Sequence, residues 1–268
     1  MATTAIFGAG VMGETLLSGL IRSGRDVADL SITEKRTDHA AVLNAKYGVS
    51  VLDNATAAKS ADVLVLVVKP QDMDGLLSEI RDHVVSGNLV VSLAAGITTA
   101  YLESRLPEGS SVVRVMPNTP ALVDQGMAAI SPGQHCTPEH LDEAEALLRS
   151  CGRVVQVPEK YQDAVTAISG SGPAYIFYVV EAMIEAGVVL GLPRATSTEL
   201  VVQTLFGAAT MLKETGEHPT VLRERVSSPG GTTVAALRQL DDHKVRAAFI
   251  SAIEAAARRS HELAAGNP

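Results

Sequence analysis

The sequence predicts an α/β fold: a Rossmann-type doubly wound parallel sheet over residues 1–157, followed by an all-helical domain over residues 158–268. Three observations carry this. Short apolar runs alternate with helical stretches up to about residue 157. Beyond 158 the strand signals vanish and helical periodicity takes over. The run Val63–Val68 is apolar at every position, as a central strand covered by helices on both faces must be.

Taken in order, strands are expected at Thr4–Gly8, Leu30–Glu34, Val63–Val67, Leu89–Leu93, Val112–Val115 and Val154–Val157. Helical windows fall between them around Met12–Ser23, Ala40–Lys46 and Gly75–His83. In the second half, Pro173 opens a nearly all-apolar helix from Ala174 to Leu192, closed by Gly191 and Pro193. Further helices are expected over Arg194–Glu214, Pro219–Arg225, Thr232–Leu240 and Lys244–Ala264. Glu181 and Glu185 interrupt the Ala174–Leu192 run, so it reads as a buried helix of a soluble protein rather than a membrane span. Several of these helices are apolar on more than one face, which a segment this short cannot hide alone. Self-association is the expectation that follows.

Composition narrows the function classes. Hydrophobic residues make up 46% and charged residues 19%, which argues against disorder. Five Tyr, four Phe and no Trp leave little with which to stack single-stranded bases, and a formal charge of −8 is opposite to a nucleic-acid footprint. Two cysteines, Cys136 and Cys151, supply neither a disulfide framework nor a Cys-rich zinc site, and no metal site is expected. The N-terminus lacks the basic and long apolar regions of a signal peptide, so a soluble cytoplasmic protein is expected.

Gly8-Ala9-Gly10-Val11-Met12-Gly13 directly follows the first strand and opens a helix. In that context the glycines have separate tasks: Gly8 for the tight turn, Gly10 for close approach of a pyrophosphate, Gly13 for helix–strand packing. The helix N-terminus offers its free N–H groups to the anion. Glu34 ends the second strand about 20 residues further on, where an acidic side chain suits the free 2′-hydroxyl of NAD. Lys35 and Arg36 follow at once, and two cations there suit a 2′-phosphate. The balance favours NADP(H) and admits NAD(H).

Three other strand ends carry unusual residues: Val67-Val68-Lys69-Pro70, Leu93-Ala94-Ala95-Gly96 and Met116-Pro117-Asn118-Thr119-Pro120. Open α/β sheets bind ligands at these carboxyl ends, and together they suit an extended dinucleotide. In the helical half, Ser227-Ser228-Pro229-Gly230-Gly231-Thr232-Thr233 precedes a helix. It reads either as a concavity for a small carboxylate or as a loop ending in Ser/Thr capping. Ser169-Gly170-Ser171-Gly172 reads as a place where small residues let helices cross closely.

These motifs, in this order and spacing, resemble those of the pyrroline-5-carboxylate reductases over essentially the whole chain, from Thr4 to about Leu263. The resemblance implies reduction of 1-pyrroline-5-carboxylate to L-proline by hydride from NADPH or NADH, and a homodimer built through the helical domain, in a ring of dimers. It implies that Phe7, Gly8, Ala9, Gly10, Val11 and Met12 surround the pyrophosphate, with Lys35 and Arg36 at the adenosine 2′-phosphate. Asn54 is implied on the adenosine side, and Val67, Val68, Lys69, Pro70, Ala94 and Ala95 along the cofactor. Ser228, Gly230, Gly231, Thr232 and Thr233 are implied as the substrate loop, with the Thr233 hydroxyl as the catalytic group at the ring nitrogen. A β-hydroxyacid dehydrogenase, the nearest rival, needs a lysine on the helix after Ser169–Gly172; the next lysine here is Lys213. A non-catalytic dinucleotide sensor would have no use for the Ser228–Thr233 loop.

Overall fold

A computed structural model describes residues 2–265 of the chain. Its strands are β1 (Thr4–Phe7), β2 (Leu30–Thr33), β3 (Ser50–Val51), β4 (Val63–Leu66), β5 (Leu89–Ser92), β6 (Ser111–Met116), β7 (Gly126–Pro132) and β8 (Gly152–Gln156). They form one sheet in the order β3-β2-β1-β4-β5-β6-β7-β8. Every pairing is parallel except that of β7 with β6. Between strands run α1 (Val11–Arg22), α2 (Thr37–Tyr47), α3 (Asn54–Ser60), α4 (Met73–Ile80), α5 (Thr99–Glu103) and α6 (Pro138–Leu148).

Strands β1, β2, β4 and β5 are buried on both faces, and side-chain alternation sorts their residues into two cores. Ile6, Ile32, Val65 and Val91 join Leu16 and Leu17 of α1 on one side. Phe7, Leu64, Leu66 and Val90 join Met73 and Leu77 of α4 on the other. Neighbouring residues of one strand thus serve opposite layers, which is why these runs are apolar throughout. The sheet order reverses between β1 and β4, and a crevice opens there at the carboxyl ends.

All six expected strands are present. Strands β3 and β7 were not expected from the sequence. The first is only two residues long and exposed. The second is built mostly from Gly, Ala, Ser and Pro between Gly126 and Pro132, which carry little β signal. Among the helices missed, α3 and α5 are short, but α6 has Pro138 in its first turn and a box in which Thr137 and His140 cap one another.

The described chain divides into two compact units: residues up to Ser171 together with those from Ala256 onward, and Gly172–Ala255. The last strand ends at Gln156, next to the expected boundary at 157, but the compact unit runs further. Hydrogen bonds explain why. After β8 comes α7 (Gln162–Val165), whose buried Gln162 donates Nε2–H to Ser131 Oγ of β7 at 2.8 Å. Asp163 accepts from Ser260 Oγ at 2.7 Å and lies 3.3 Å from His261 Nδ1, tying the chain's last turns to this unit.

The second unit holds α8 (Gly172–Val189), α9 (Arg194–Thr215), α10 (Pro219–Arg225), α11 (Thr232–Asp242) and the first part of α12 (Val245–Ala265). Helices α8 and α9 cross where a Cβ on Gly187 would strike Ser197 Oγ, and that hydroxyl donates to Ile184 O at 2.8 Å. The expectation of a buried helix over Ala174–Leu192 is corrected here. None of the residues of α8 is buried within the chain, and Phe177 and Tyr178 are 66% and 75% exposed. The helical run Glu159–Val189 is long and apolar enough, by length and composition alone, to cross a membrane. The apolar faces of α8 have no cover within one chain because the unit is too small to supply it.

Candidate active site

The three glycines after β1 are not equivalent. Gly8 has φ +94°, and a Cβ there would sit 3.1 Å from Val67 O; its own N–H donates to Thr33 O at 3.0 Å. The turn therefore threads between β2 and β4 and admits only glycine. A Cβ on Gly13 would strike Gly8 O, whereas one on Gly10 would meet nothing within 4 Å. The protein itself needs Gly8 and Gly13. Gly10 has no protein reason to be glycine, so the space above it fits a ligand that lies against the backbone.

Gly10 is also the N-cap of α1, with no side chain capping the helix. The first N–H spent inside the helix is that of Glu14, bound to Gly10 O at 2.8 Å, so those of Val11, Met12 and Gly13 precede it. Glu14 would repel an anion here, but Lys46 Nζ and Tyr47 OH donate to its Oε1 at 2.8 and 3.0 Å. The Lys46 contact holds the Glu14 carboxyl below the usual range despite partial burial. Phe7 and Ala9 are fully buried. Phe7 offers only its backbone to the loop, with its carbonyl accepting from Val67 N–H at 2.8 Å.

At the end of β2, Glu34 accepts from the Arg36 amide at 3.0 Å and from its guanidinium at 3.2 and 3.4 Å. Burial alone would push the Glu34 carboxyl up; these bonds outweigh it and hold it below the usual range. Lys35 Nζ lies 3.6 Å from Asp72 on the turn after Pro70. Both cations are exposed and engaged with acidic partners.

Next to this corner, a cleft of about 340 Å³ is lined by Met12, Val67, Val68, Pro70, Leu93, Ala94, Ala95, Met116, Pro117, Asn118, Thr119 and Gly170. The structure thus brings together Met12 with the expected residues of the β4 and β5 ends. It does not bring Asn54 or Lys69 into the lining. Asn54 donates its amide to Glu79 Oε2 of α4 at 2.6 Å, and the exposed Lys69 ammonium makes no ion pair among the described residues.

Asn118 does not present a free amide on the rim. Its Oδ1 accepts from Met127 N–H at 2.8 Å and its Nδ2 donates to Ser169 O at 3.1 Å. The acceptor belongs to a π-helical turn, Thr166–Gly170. A Cβ on Gly170 would lie 2.6 Å from Met116 Cε, so this glycine makes room for the Met116 side chain rather than for a crossing helix. The expected helix crossing lies at Gly187 instead. Gly170 was missed as a lining residue, because its neighbour Met116 is far away in sequence.

In the second unit, Gly230 has φ +71° and Gly231 is the N-cap of α11. No side chain caps this helix, so the Ser/Thr capping alternative does not describe it. The first helical bond runs from Ala235 N to Gly231 O at 3.2 Å, leaving the N–H groups of Thr232, Thr233 and Val234 ahead of it. Gly231 is packed on Ser228, with a Cβ position 2.6 Å from Ser228 Oγ. Ser228, Gly230, Gly231, Thr232 and Thr233 therefore share one short turn into α11, whose first N–H groups have no partner within the helix.

Residues 3–96 match a family model described as NADP oxidoreductase coenzyme F420-dependent, and residues 159–263 match one described as pyrroline-5-carboxylate reductase dimerisation. A pyrroline-5-carboxylate reductase of Corynebacterium melassecola is 48% identical over 98% of this chain and 99% of its own. The chain belongs to the pyrroline-5-carboxylate reductase family. It is an oxidoreductase of that class. Among solved structures, the family member from Coxiella burnetii superposes with a TM-score of 0.94 at 38% identity, covering 98% of both chains. The Plasmodium falciparum pyrroline carboxylate reductase, a structure with NADP bound, gives 0.88 at 29% identity over 98% of both chains. Family membership also accounts for the uncovered faces of α8 and α9, since the matching model for that region describes dimerisation.

Proposed function

We propose that this protein reduces the cyclic imine 1-pyrroline-5-carboxylate to L-proline, using NADP(H) in preference to NAD(H), as a cytoplasmic homodimer assembled into a ring of dimers. The observation that carries the reading is Gly10, whose missing Cβ leaves open space at an uncapped helix start beside the cleft. Gly8, Ala9, Gly10, Val11 and Met12 hold the pyrophosphate, and Val67, Val68, Pro70, Ala94 and Ala95 lie along the rest of the cofactor. When bound, the dinucleotide supplies the hydride.

The chain's own residues supply placement. The backbone donors after Gly231, at a helix start that no side chain caps, hold the substrate carboxylate. Ser228 and Thr232 flank it. The Thr233 hydroxyl meets the ring nitrogen, accepting from the iminium N–H and donating to the product amine. The preference for NADP(H) rests on Lys35 and Arg36. Their exposed ion pairs are worth little in water and exchange readily for charge-assisted bonds to a 2′-phosphate. The NADP-bound relative supports the same choice. Glu34 remains as an acceptor for the 2′-hydroxyl of NAD(H).

Following NADPH absorbance with pyrroline-5-carboxylate tests this, set against NADH and a panel of 2-keto and 3-hydroxy acids. Consumption is expected with the cyclic imine and faster with NADPH. No consumption with the imine overturns the reading, and faster turnover with NADH overturns the cofactor preference.

A further inference from the structure

His39 stands in the first turn of α2, half-buried, with Nε2 2.9 Å from the carbonyl oxygen of Ala9. A carbonyl only accepts, so Nε2 carries the hydrogen. Ala9 is the buried residue between Gly8 and Gly10. In a trans peptide the C=O of one residue and the N–H of the next point in opposite directions. A partner that holds Ala9 C=O on the α2 side therefore turns Gly10 N–H to the other side of the loop. Among the described residues Gly10 N–H makes no hydrogen bond, and the space around its Cβ position is empty.

We infer that His39 is a positioning residue for the dinucleotide pyrophosphate: it clamps the Ala9–Gly10 peptide so that Gly10 N–H faces the bound anion. A glycine pair flanking one small residue is otherwise free to flip this peptide, since Gly10 tolerates either backbone region. The clamp removes that freedom before ligand arrives, and preorganisation of this kind appears as affinity. The inference rests on reading the glycine loop as the dinucleotide site. It differs from a role in reading the adenosine 2′-phosphate, although His39 follows Lys35 and Arg36 closely, because the pyrophosphate is common to both dinucleotides.

The experiment titrates NADPH and NADH into wild type, His39→Ala, His39→Leu and His39→Gln by fluorescence, with thermal unfolding of each in parallel. His39→Ala is expected to weaken both dinucleotides by the same factor, about 5- to 20-fold for one orienting hydrogen bond. His39→Leu keeps the volume without the donor and carries the same expectation should the alanine protein unfold. His39→Gln, whose side-chain amide can donate to the same carbonyl, is expected to recover most of the loss, which a packing role would not produce. In turnover, KM for the cofactor rises and kcat at saturation stays within about twofold. Unchanged dissociation constants in the donor-free variants overturn the inference, as does a loss confined to NADPH. Wild-type protein that binds neither dinucleotide overturns the site reading itself, an outcome visible before any variant is compared.

Discussion

The two units of this chain bury themselves differently. In the sheet unit, Ile6, Phe7, Leu64 and Leu66 are fully covered by helices of the same chain. In the helical unit, Phe206 of α9 is 66% exposed, and no residue of α8 is buried. The composition is apolar in both. The difference teaches that an apolar pattern specifies burial without saying by what. A doubly wound sheet brings its own cover through its crossover helices, whereas a few helices in sequence run out of partners and leave faces for another copy.

The sharpest way to break this contrast is to substitute one phenylalanine in each unit. Phe206→Glu is expected to weaken self-association by more than about 1,000-fold, since an unpaired charge costs several kcal/mol to bury and a symmetric interface contains it twice. Sedimentation over a dilution series measures it. Phe7→Ala is expected to cost about 3–5 kcal/mol in thermal unfolding while leaving association unchanged. Similar concentration dependence in both variants would erase the distinction between the units.

Next in size is Thr233→Val, expected to lower turnover by about 10- to 1,000-fold, as for one group that handles a proton. An unchanged kcat would remove Thr233 from the chemistry. Within the glycine loop, the contrast between needs of the protein and needs of the ligand can be sharpened with single methyl groups. Gly13→Ala is expected to lower the melting temperature, because its Cβ runs into Gly8 O. Gly10→Ala should leave melting unchanged and weaken NADPH binding by about 10-fold or more, through crowding of a bound pyrophosphate. Melting curves and a binding titration on the two proteins separate these roles.

The smallest effect concerns acid stability of the sheet unit. Hydrogen bonds from Arg36 depress the Glu34 carboxyl in the folded state against the opposing effect of burial. A depressed carboxyl stabilises the fold above its unfolded value, about 4.3, and the contribution disappears as pH falls through the lower folded value. Glu34→Gln should therefore flatten the loss of stability below about pH 4, by up to about 1 kcal/mol. An identical acid profile in both proteins would show that the Glu34–Arg36 contact contributes nothing to stability.

Much of the fold and part of the site were legible from local pattern. Strands such as Val63–Leu66 announce themselves because both faces need apolar residues, and the glycine loop because Gly8 and Gly13 stand where a turn at a strand end leaves no room for a Cβ. What stayed hidden depended on neighbours distant in sequence. His39 gives no local signal; its meaning comes from the carbonyl of Ala9 on another element. Asn118 reads as a rim amide until Ser169 and Met127 are seen to occupy it. Gly170 reads as a helix-crossing glycine until Met116 is seen against it.

By itself the sequence determined the class of fold, the strand ends that line the cleft, the two glycine-led helix starts and the family. The first three follow from backbone stereochemistry and from the period of apolar residues, both of which act over a few positions; the family follows from the resemblance of the motifs. Only the tertiary structure decided which of the three loop glycines the protein itself requires, where the compact units part, and which polar groups are already spent on one another. These depend on distances between segments far apart in the chain, and no local pattern encodes a distance that the whole packing has to set.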